Sequence, residues 1–344
     1  MKERRELLSG FEITAQAARE AGAEMMYGYP ITPATDIFST WIKNGGAYLQ
    51  TEDEIAAGFA IDGAVLAGQK AFTATSGPGH ILMQDALSMA EGMRLPFVAI
   101  IAQRGGPSSG TVIYSQQEVT LACFGGNGEG LRFVYSPSSL EELYFLTRRA
   151  FNDAWQYRYP AIVLTDGYLL KTKGVVDFEE IKNFADVPAY PLISAGRNVH
   201  WQNIYTFEED LFRVVSKNQE DFSKITPEMV LSEAQKTEDA EILLVAHGIV
   251  GAAAREAVNK LRAEGKKAGL FRPITLRPFP KKELDKTASQ PALKKIVVVE
   301  SSLGQLARLV RDELAPEISA PFFYLQKPAL GIEPEKIREF VLGI

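Results

Sequence analysis

The chain has 344 residues, 46% hydrophobic and 23% charged, with 37 lysines and arginines against 43 acids and a net charge of −6. That length fits two domains of about 150 residues each, and the acidic balance argues against nucleic acid as the main partner. The lone cysteine, Cys123, can build neither an internal disulfide nor an iron–sulfur cluster of about four thiolates, and His80, His200 and His247 stand at no metal-ligand spacing.

The N-terminal stretch MKERRELLSG has no apolar segment of signal-peptide length behind its charges. The longest apolar run, Ile242–Ala254, is shorter than the roughly 20 residues of a membrane-spanning helix. A cytoplasmic protein without a membrane partner is expected.

From residue 11 to about 170, β-type runs alternate with helical patterns. The strands expected are Glu24–Tyr27, Ala47–Gln50, Lys70–Thr75, Pro96–Ala102 and Pro160–Thr165. Helices are expected at Thr35–Lys43, Asp53–Ala67, Ile81–Met93 and Leu140–Trp155. This rhythm predicts an α/β fold with a mostly parallel sheet covered on both faces. A polar stretch, Tyr190–Trp201, then opens a linker with one or two helices, which are sought in Phe207–Arg213 and Lys224–Thr237. A second α/β unit is expected beyond it, with strands Glu241–Ala246, Lys267–Phe271, Lys295–Glu300 and Pro321–Leu325. Its helices are expected at Ala252–Ala263, near Lys281–Lys286, and at Gln305–Leu314. The domains are expected at 1–187 and 239–344, joined by the linker 188–238.

Four strand-to-helix connections of the first unit hold candidate chemistry. In YPITPATD, Thr32 followed by Pro33 reads as a helix N-cap with proline at the first helical position, worth about 1 kcal/mol. The helix start behind it could also receive an anion. In TEDEIAAG, Thr51 and Glu54 have capping-box spacing. The Ala- and Gly-rich helix that follows is apolar on most sides, which suggests burial, and burial would raise the pKa of an acid at its mouth. The loop Ser76–His80 lacks the G-x-S-x-G spacing of a hydrolase elbow and reads as a tight turn or a ligand-binding crest. In QRGGPSSG, Arg104 is either a solvated cation or a guanidinium presented to a carboxylate or phosphate. The cluster Gly125–Gly130 lacks dinucleotide-binding spacing, and no phosphate-binding P-loop occurs.

Taken in order, GYPITP, EDEIAAG, TATSGPG and QRGGPSSG resemble the α subunit of 2-oxoacid:ferredoxin oxidoreductases. The later LFRPITLRPFP and ESSLGQL are similar to that subunit's second domain. The resemblance implies a pyrimidine-type thiamin diphosphate domain followed by a transketolase C-terminal-like domain. It implies a cofactor shared with a β subunit that carries the diphosphate and Mg2+ site on a G-D-G motif. The nearest match here, Thr165–Gly167, lacks the first glycine.

By the same resemblance, Glu54 would hydrogen-bond N1′ of the aminopyrimidine, which activates thiazolium C2 as the nucleophile. Thr32 and Arg104 would meet the substrate carboxylate, and Pro30, Ile31, Ser76 and Gly77 would line the cofactor. The implied reaction is oxidative decarboxylation of a 2-oxoacid to acyl-coenzyme A and carbon dioxide. Two electrons would pass through iron–sulfur clusters on partner chains, including γ and/or ferredoxin-like δ subunits, to ferredoxin or flavodoxin. Coenzyme A and the clusters would be handled by those partners. One arginine in a site loop leans toward pyruvate, branched-chain or aryl oxoacids over a dicarboxylic one. The alternatives are a non-catalytic assembly subunit, or a non-redox thiamin diphosphate synthase or decarboxylase subunit.

Overall fold

The computed structural model describes residues 4–193, 196 and 201–344, so His200 and the linker positions 194, 195 and 197–199 lie outside the described residues. Strands in chain order are β1 (Arg5–Ser9), β2 (Met25–Gly28), β3 (Ala47–Gln50), β4 (Ala71–Thr75), β5 (Val98–Gln103), β6 (Phe133–Tyr135), β7 (Ala161–Asp166) and β8 (Lys173–Asp177). They are followed by β9 (Ser232–Gln235), β10 (Ile242–Val245), β11 (Ala268–Pro273), β12 (Thr275–Arg277), β13 (Lys295–Glu300) and β14 (Phe322–Gln326). Helices of the first part are α1 (Gly10–Glu20), α2 (Thr35–Lys43), α3 (Glu54–Leu66), α4 (Pro78–Leu82), α5 (Gln84–Met93), α6 (Val119–Phe124), α7 (Leu140–Tyr157), α8 (Gly167–Lys171) and α9 (Glu208–Met229). Those of the second are α10 (Gly248–Ala263), α11 (Lys281–Ala288), α12 (Gln305–Glu313) and α13 (Pro334–Leu342).

Two parallel sheets carry the chain, as the alternating pattern implied. The first has the order β12-β6-β7-β5-β4-β2-β3 and the second β14-β13-β10-β11-β9. Only β12 and β9 run antiparallel to their sheet neighbours. β4, β5 and β7 are buried along their whole length. That is the expected state of short apolar runs covered by helices on both faces. β1 pairs with β8 in a separate antiparallel ribbon. It leads into α1, whose capping box joins the Ser9 and Glu12 side chains to each other's backbone N–H groups.

The structure moves several expected boundaries. The predicted helix 81–93 is two helices that meet at Met83, since Pro78 opens α4 directly after Gly77. The expected linker is divided between the two units. Its long helix α9 belongs to the first core, with Phe222 stacked on Phe133 at 5.6 Å and edge-on to Tyr159 at 5.1 Å. Residues 232–235, placed within a helix by their charge, form strand β9 against β11. β12 lies within the second segment of sequence yet extends the first sheet, pairing with β6. Sequence continuity could not show this, because the pairing depends on where the second unit docks. Gln116 fastens that docking, donating to His247 O at 2.9 Å and accepting from Ser301 N at 3.0 Å.

α3 is apolar on most sides and holds one anomaly. Asp62 is 1% exposed, and neither of its carboxylate oxygens has a hydrogen-bond partner. Burial, with a smaller contribution from Asp85, pushes its pKa up to about 8. A carboxyl whose folded pKa lies above its unfolded one stabilises the fold below the unfolded pKa. That contribution is lost as pH rises through the folded value. Asp62→Asn is therefore expected to raise stability at pH 8 by on the order of 2 kcal/mol and to flatten the decline between pH 5 and pH 8. Thermal midpoints of the two proteins at both pH values check this, and equal pH slopes would refute it.

Candidate functional site

β3, β2, β4 and β5 are consecutive neighbours in the first sheet and run parallel. Their carboxyl ends share one edge, so the four motif-bearing loops leave the sheet side by side. Ligands of open parallel sheets bind at such an edge.

The β3–α3 loop places Glu54. The expected capping box is absent: Asp53 is the N-cap, its carboxylate accepting from Ala56 N at 2.8 Å, while Thr51 Oγ1 donates to Asp53 O. Glu54, one residue further on, is released from capping and is buried, 5% exposed. Burial raises its pKa, with the Asp53 charge adding to the effect and its own backbone N–H, Thr75 and Arg104 opposing it. Gly79 provides the room. A Cβ there would sit 2.3 Å from Glu54 Oε1 and 2.1 Å from Thr75 Oγ1.

The β2–α2 loop places Thr32, whose expected N-cap role does not hold. α2 starts at Thr35 with Ala34 as N-cap and no side-chain cap, and the Thr32–Pro33 peptide is cis. The carbonyl of Thr32 is instead gripped from two sides, by Ser76 Oγ at 2.9 Å and Arg104 Nη1 at 2.5 Å. Its side chain is exposed, with Pro30 and Ile31 half-buried before it. The three loops of Thr32, Ser76 and Arg104 thus meet on one carbonyl oxygen.

Arg104 is 6% exposed rather than solvated, and its Nε has no partner. Burial lowers its pKa, opposed by the charges of Glu118 and Glu54. Gly77 adopts φ +48° beside it, and a Cβ there would lie 2.8 Å from Arg104 Nε. Both facts favour glycine at this turn.

Two residues absent from the candidate list join this cluster. Glu118, 4% exposed, lies directly before α6, and His80, fully buried, lies on α4. Glu118 Oε2 meets His80 Nδ1 at 2.8 Å. His80 closes the Ser76–His80 loop already singled out by its place after β4, whereas Glu118 has no sequence signal, because it contacts Arg104 and His80 only through the fold. Asp166 of the TDG stretch caps α8, accepting from Tyr168 N and Leu169 N, with its pKa pushed up to about 6 by burial. Among the described residues no group of three or more His, Cys, Asp or Glu side chains could hold a metal ion.

The family described as "Pyruvate flavodoxin/ferredoxin oxidoreductase, thiamine diP-bdg" matches residues 16–241. "Pyruvate:ferredoxin oxidoreductase core domain II" matches residues 240–327. The chain is 34% identical over 333 residues to the 2-oxoglutarate synthase subunit KorA of Methanocaldococcus jannaschii, covering 88% of this chain and 89% of that one. It belongs to the 2-oxoacid:ferredoxin oxidoreductase family, as an α subunit.

A second relative of this α subunit is the ketoisovalerate oxidoreductase subunit VorB of Methanothermobacter thermautotrophicus. That chain is 34% identical over 319 residues, covering 89% of each chain. Among solved structures, the 2-oxoglutarate:ferredoxin oxidoreductase from Magnetococcus marinus with 2-oxoglutarate, coenzyme A and succinyl-CoA bound superimposes with a TM-score of 0.85 at 27% identity. The alignment covers 99% of this chain, which spans 65% of the length of that one. The first segment of this α subunit is thus a thiamin diphosphate-binding domain by family. Among the described residues no helix is long and apolar enough to cross a membrane.

The crest of the α subunit is bordered by exposed apolar side chains: Tyr29, Tyr48, Leu49, Ile55, Ile81 and Leu82. β3 is an edge strand with all four residues exposed. An open apolar edge of this kind is a surface that proteins normally cover.

Proposed function

We propose that this α subunit binds the aminopyrimidine half of thiamin diphosphate at the β2–β5 crest and takes part in oxidative decarboxylation of a 2-oxoacid to an acyl-coenzyme A. One observation carries this reading. A buried glutamate released from capping, a loop threonine and a buried arginine whose Nε has no partner occupy neighbouring loops of one crest. The donor set fits the group, since Glu54 stands at the opening in a space kept clear by Gly79. When bound, the cofactor supplies a carbanion nucleophile and an electron sink for the 2-oxoacid.

This chain's part is proton management and orientation. Glu54 holds and exchanges a proton at N1′ of the aminopyrimidine, and burial, which raises its pKa, favours the proton-holding form. Ile31, Pro30, Ser76 and Gly77 shape the wall beside it. The Thr32 hydroxyl and the Arg104 guanidinium orient the substrate carboxylate.

The diphosphate and Mg2+ belong to a β subunit in this reading, because Asp166 of TDG is committed to capping α8. The exposed β3 edge and the apolar rim offer that subunit a docking surface. Iron–sulfur clusters, ferredoxin or flavodoxin reduction, coenzyme A and γ or δ subunits are likewise assigned to partner chains in a cytoplasmic complex. Both 2-oxoglutarate synthase and ketoisovalerate oxidoreductase subunits match this chain at 34% identity, so similarity does not choose the substrate. Arg104, the one arginine found in the four crest loops, favours a monocarboxylic 2-oxoacid.

Arg104→Ala is expected to raise KM for the 2-oxoacid by about tenfold to a hundredfold in the reconstituted complex, the value of a hydrogen bond to a charged group. Viologen reduction across a panel of mono- and dicarboxylic 2-oxoacids measures this and the preference together. An unchanged KM would remove Arg104 from the substrate site. Failure of the wild-type complex to turn over any 2-oxoacid would refute the function.

A further inference from the structure

We infer that Glu118 is a positioning residue for the substrate carboxylate, acting through Arg104. The inference rests on the function proposed above. Glu118 sits at the N-cap position of α6 but makes no capping hydrogen bond with its side chain. The carboxylate turns inward instead and is fully used. Oε1 accepts from Gly77 N at 3.0 Å and Arg104 N at 2.8 Å, and Oε2 meets His80 Nδ1 at 2.8 Å. One buried side chain therefore joins the β4–α4 turn, the first turn of α4 and the residue that leaves β5.

The guanidinium of Arg104 cannot set its own direction. Its only side-chain hydrogen bond among the described residues goes to Thr32 O, and Nε is buried without a partner. Among the described residues no acid forms an ion pair with it, so beyond the Thr32 contact its aim depends on where its backbone and the packed Gly77 turn are held. Glu118 holds both. A carboxylate accepting three hydrogen bonds is a rigid anchor, because charge-assisted bonds to buried N–H groups are stronger than neutral ones. Beyond Arg104 the chain runs through the exposed stretch Pro107–Gly110 before it returns at Tyr114. At the base of that excursion Gly105 and Thr111 are joined by two hydrogen bonds, Gly105 N to Thr111 Oγ1 and Thr111 N to Gly105 O, each at 2.9 Å, and Glu118 is the contact that fixes Arg104 itself. Errors of about 1 Å in such placement reach catalysis on the order of a hundredfold.

The test uses the reconstituted complex with Glu118→Ala, Glu118→Asp and Glu118→Gln. Alanine is expected to raise KM for the 2-oxoacid at least tenfold with a much smaller change in kcat. Glutamine keeps the length, the Oε1 acceptor and a group for His80, and is expected to restore most of the lost KM. Aspartate keeps the charge but cannot span Gly77 and His80 together, so it should behave like alanine, and it serves if alanine does not assemble. In an Arg104→Ala background, a change at Glu118 should add less than twofold to KM. Hydrogen exchange by mass spectrometry should show faster exchange in the peptides containing Gly77 and Arg104. Equal losses in kcat and KM, full additivity with Arg104→Ala, or a wild-type KM in the aspartate variant would each overturn the inference. If Arg104→Ala shifts KM and Glu118→Asp does not, only the Glu118 inference fails. A wild-type complex inactive on every 2-oxoacid overturns both.

Discussion

Replacing Glu54 by glutamine is expected to lower 2-oxoacid-dependent turnover of the assembled complex by about 10²–10⁴-fold, the range of a positioned acid–base group. Glutamine fills the same volume, so the buried mouth of α3 keeps its packing. Stability should not suffer, because burial works against the ionised form of Glu54 and the substitution removes that charge. The amide can still accept a hydrogen bond, yet it cannot exchange a proton at N1′. Size-exclusion chromatography would show intact assembly, and viologen reduction would show the loss. Near wild-type turnover with normal assembly would identify Glu54 as a structural residue and favour the non-catalytic reading of this subunit.

The second large effect is expected at a residue with no functional group. Gly79→Ala places a Cβ 2.3 Å from Glu54 Oε1, 2.6 Å from Glu54 Cδ and 2.1 Å from Thr75 Oγ1, and real Cβ atoms do not approach so closely. Both contacts must be relieved, so the first turn of α4 is pushed away from the mouth of α3 or the Thr75 and Glu54 side chains both shift, and either path changes the position of the Glu54 carboxylate relative to its surroundings. A displacement near 1 Å at a catalytic group costs on the order of a hundredfold, so kcat should fall by about that factor while the chain remains folded. The double variant Gly79→Ala/Glu54→Gln should be little worse than Glu54→Gln alone, since both act through one carboxylate. Turnover of Gly79→Ala within about threefold of wild type would show that the Glu54 carboxylate tolerates displacement.

The order of elements and the placement of the four loops were legible because hydrophobic period and turn chemistry are local. The apolar run Pro96–Ala102, too short for a helix and bounded by turn residues, reads as a strand buried on both faces and forms β5 at Val98–Gln103, and the glycine- and proline-rich stretch after it forms a connection. Caps are also local, yet spacing alone did not fix them. Thr51 and Glu54 had the right spacing, but Asp53 between them took the role, and Thr32 yielded the start of α2 to Ala34. Residue spacing lists which side chains could cap a helix, whereas backbone path selects among them. The second segment of sequence was read as a separate unit, but β12 completes the first sheet, a pairing between strands about 140 residues apart.

By itself, the sequence determined two α/β units, a crest holding Glu54, Thr32, Ser76, Gly77 and Arg104, and a chain with one cysteine that cannot carry a cluster of its own. Those follow from composition, periodicity and motif order, which each residue carries wherever it sits. Only the tertiary structure decided that Glu54 is released from capping and buried, that Gly79 clears its space, and that Glu118 and His80 join the loops of Gly77 and Arg104. Such contacts join residues 14 to 41 positions apart, and the free energy that fixes them, burial of polar groups with their hydrogen bonds satisfied, exists only once the strands are side by side.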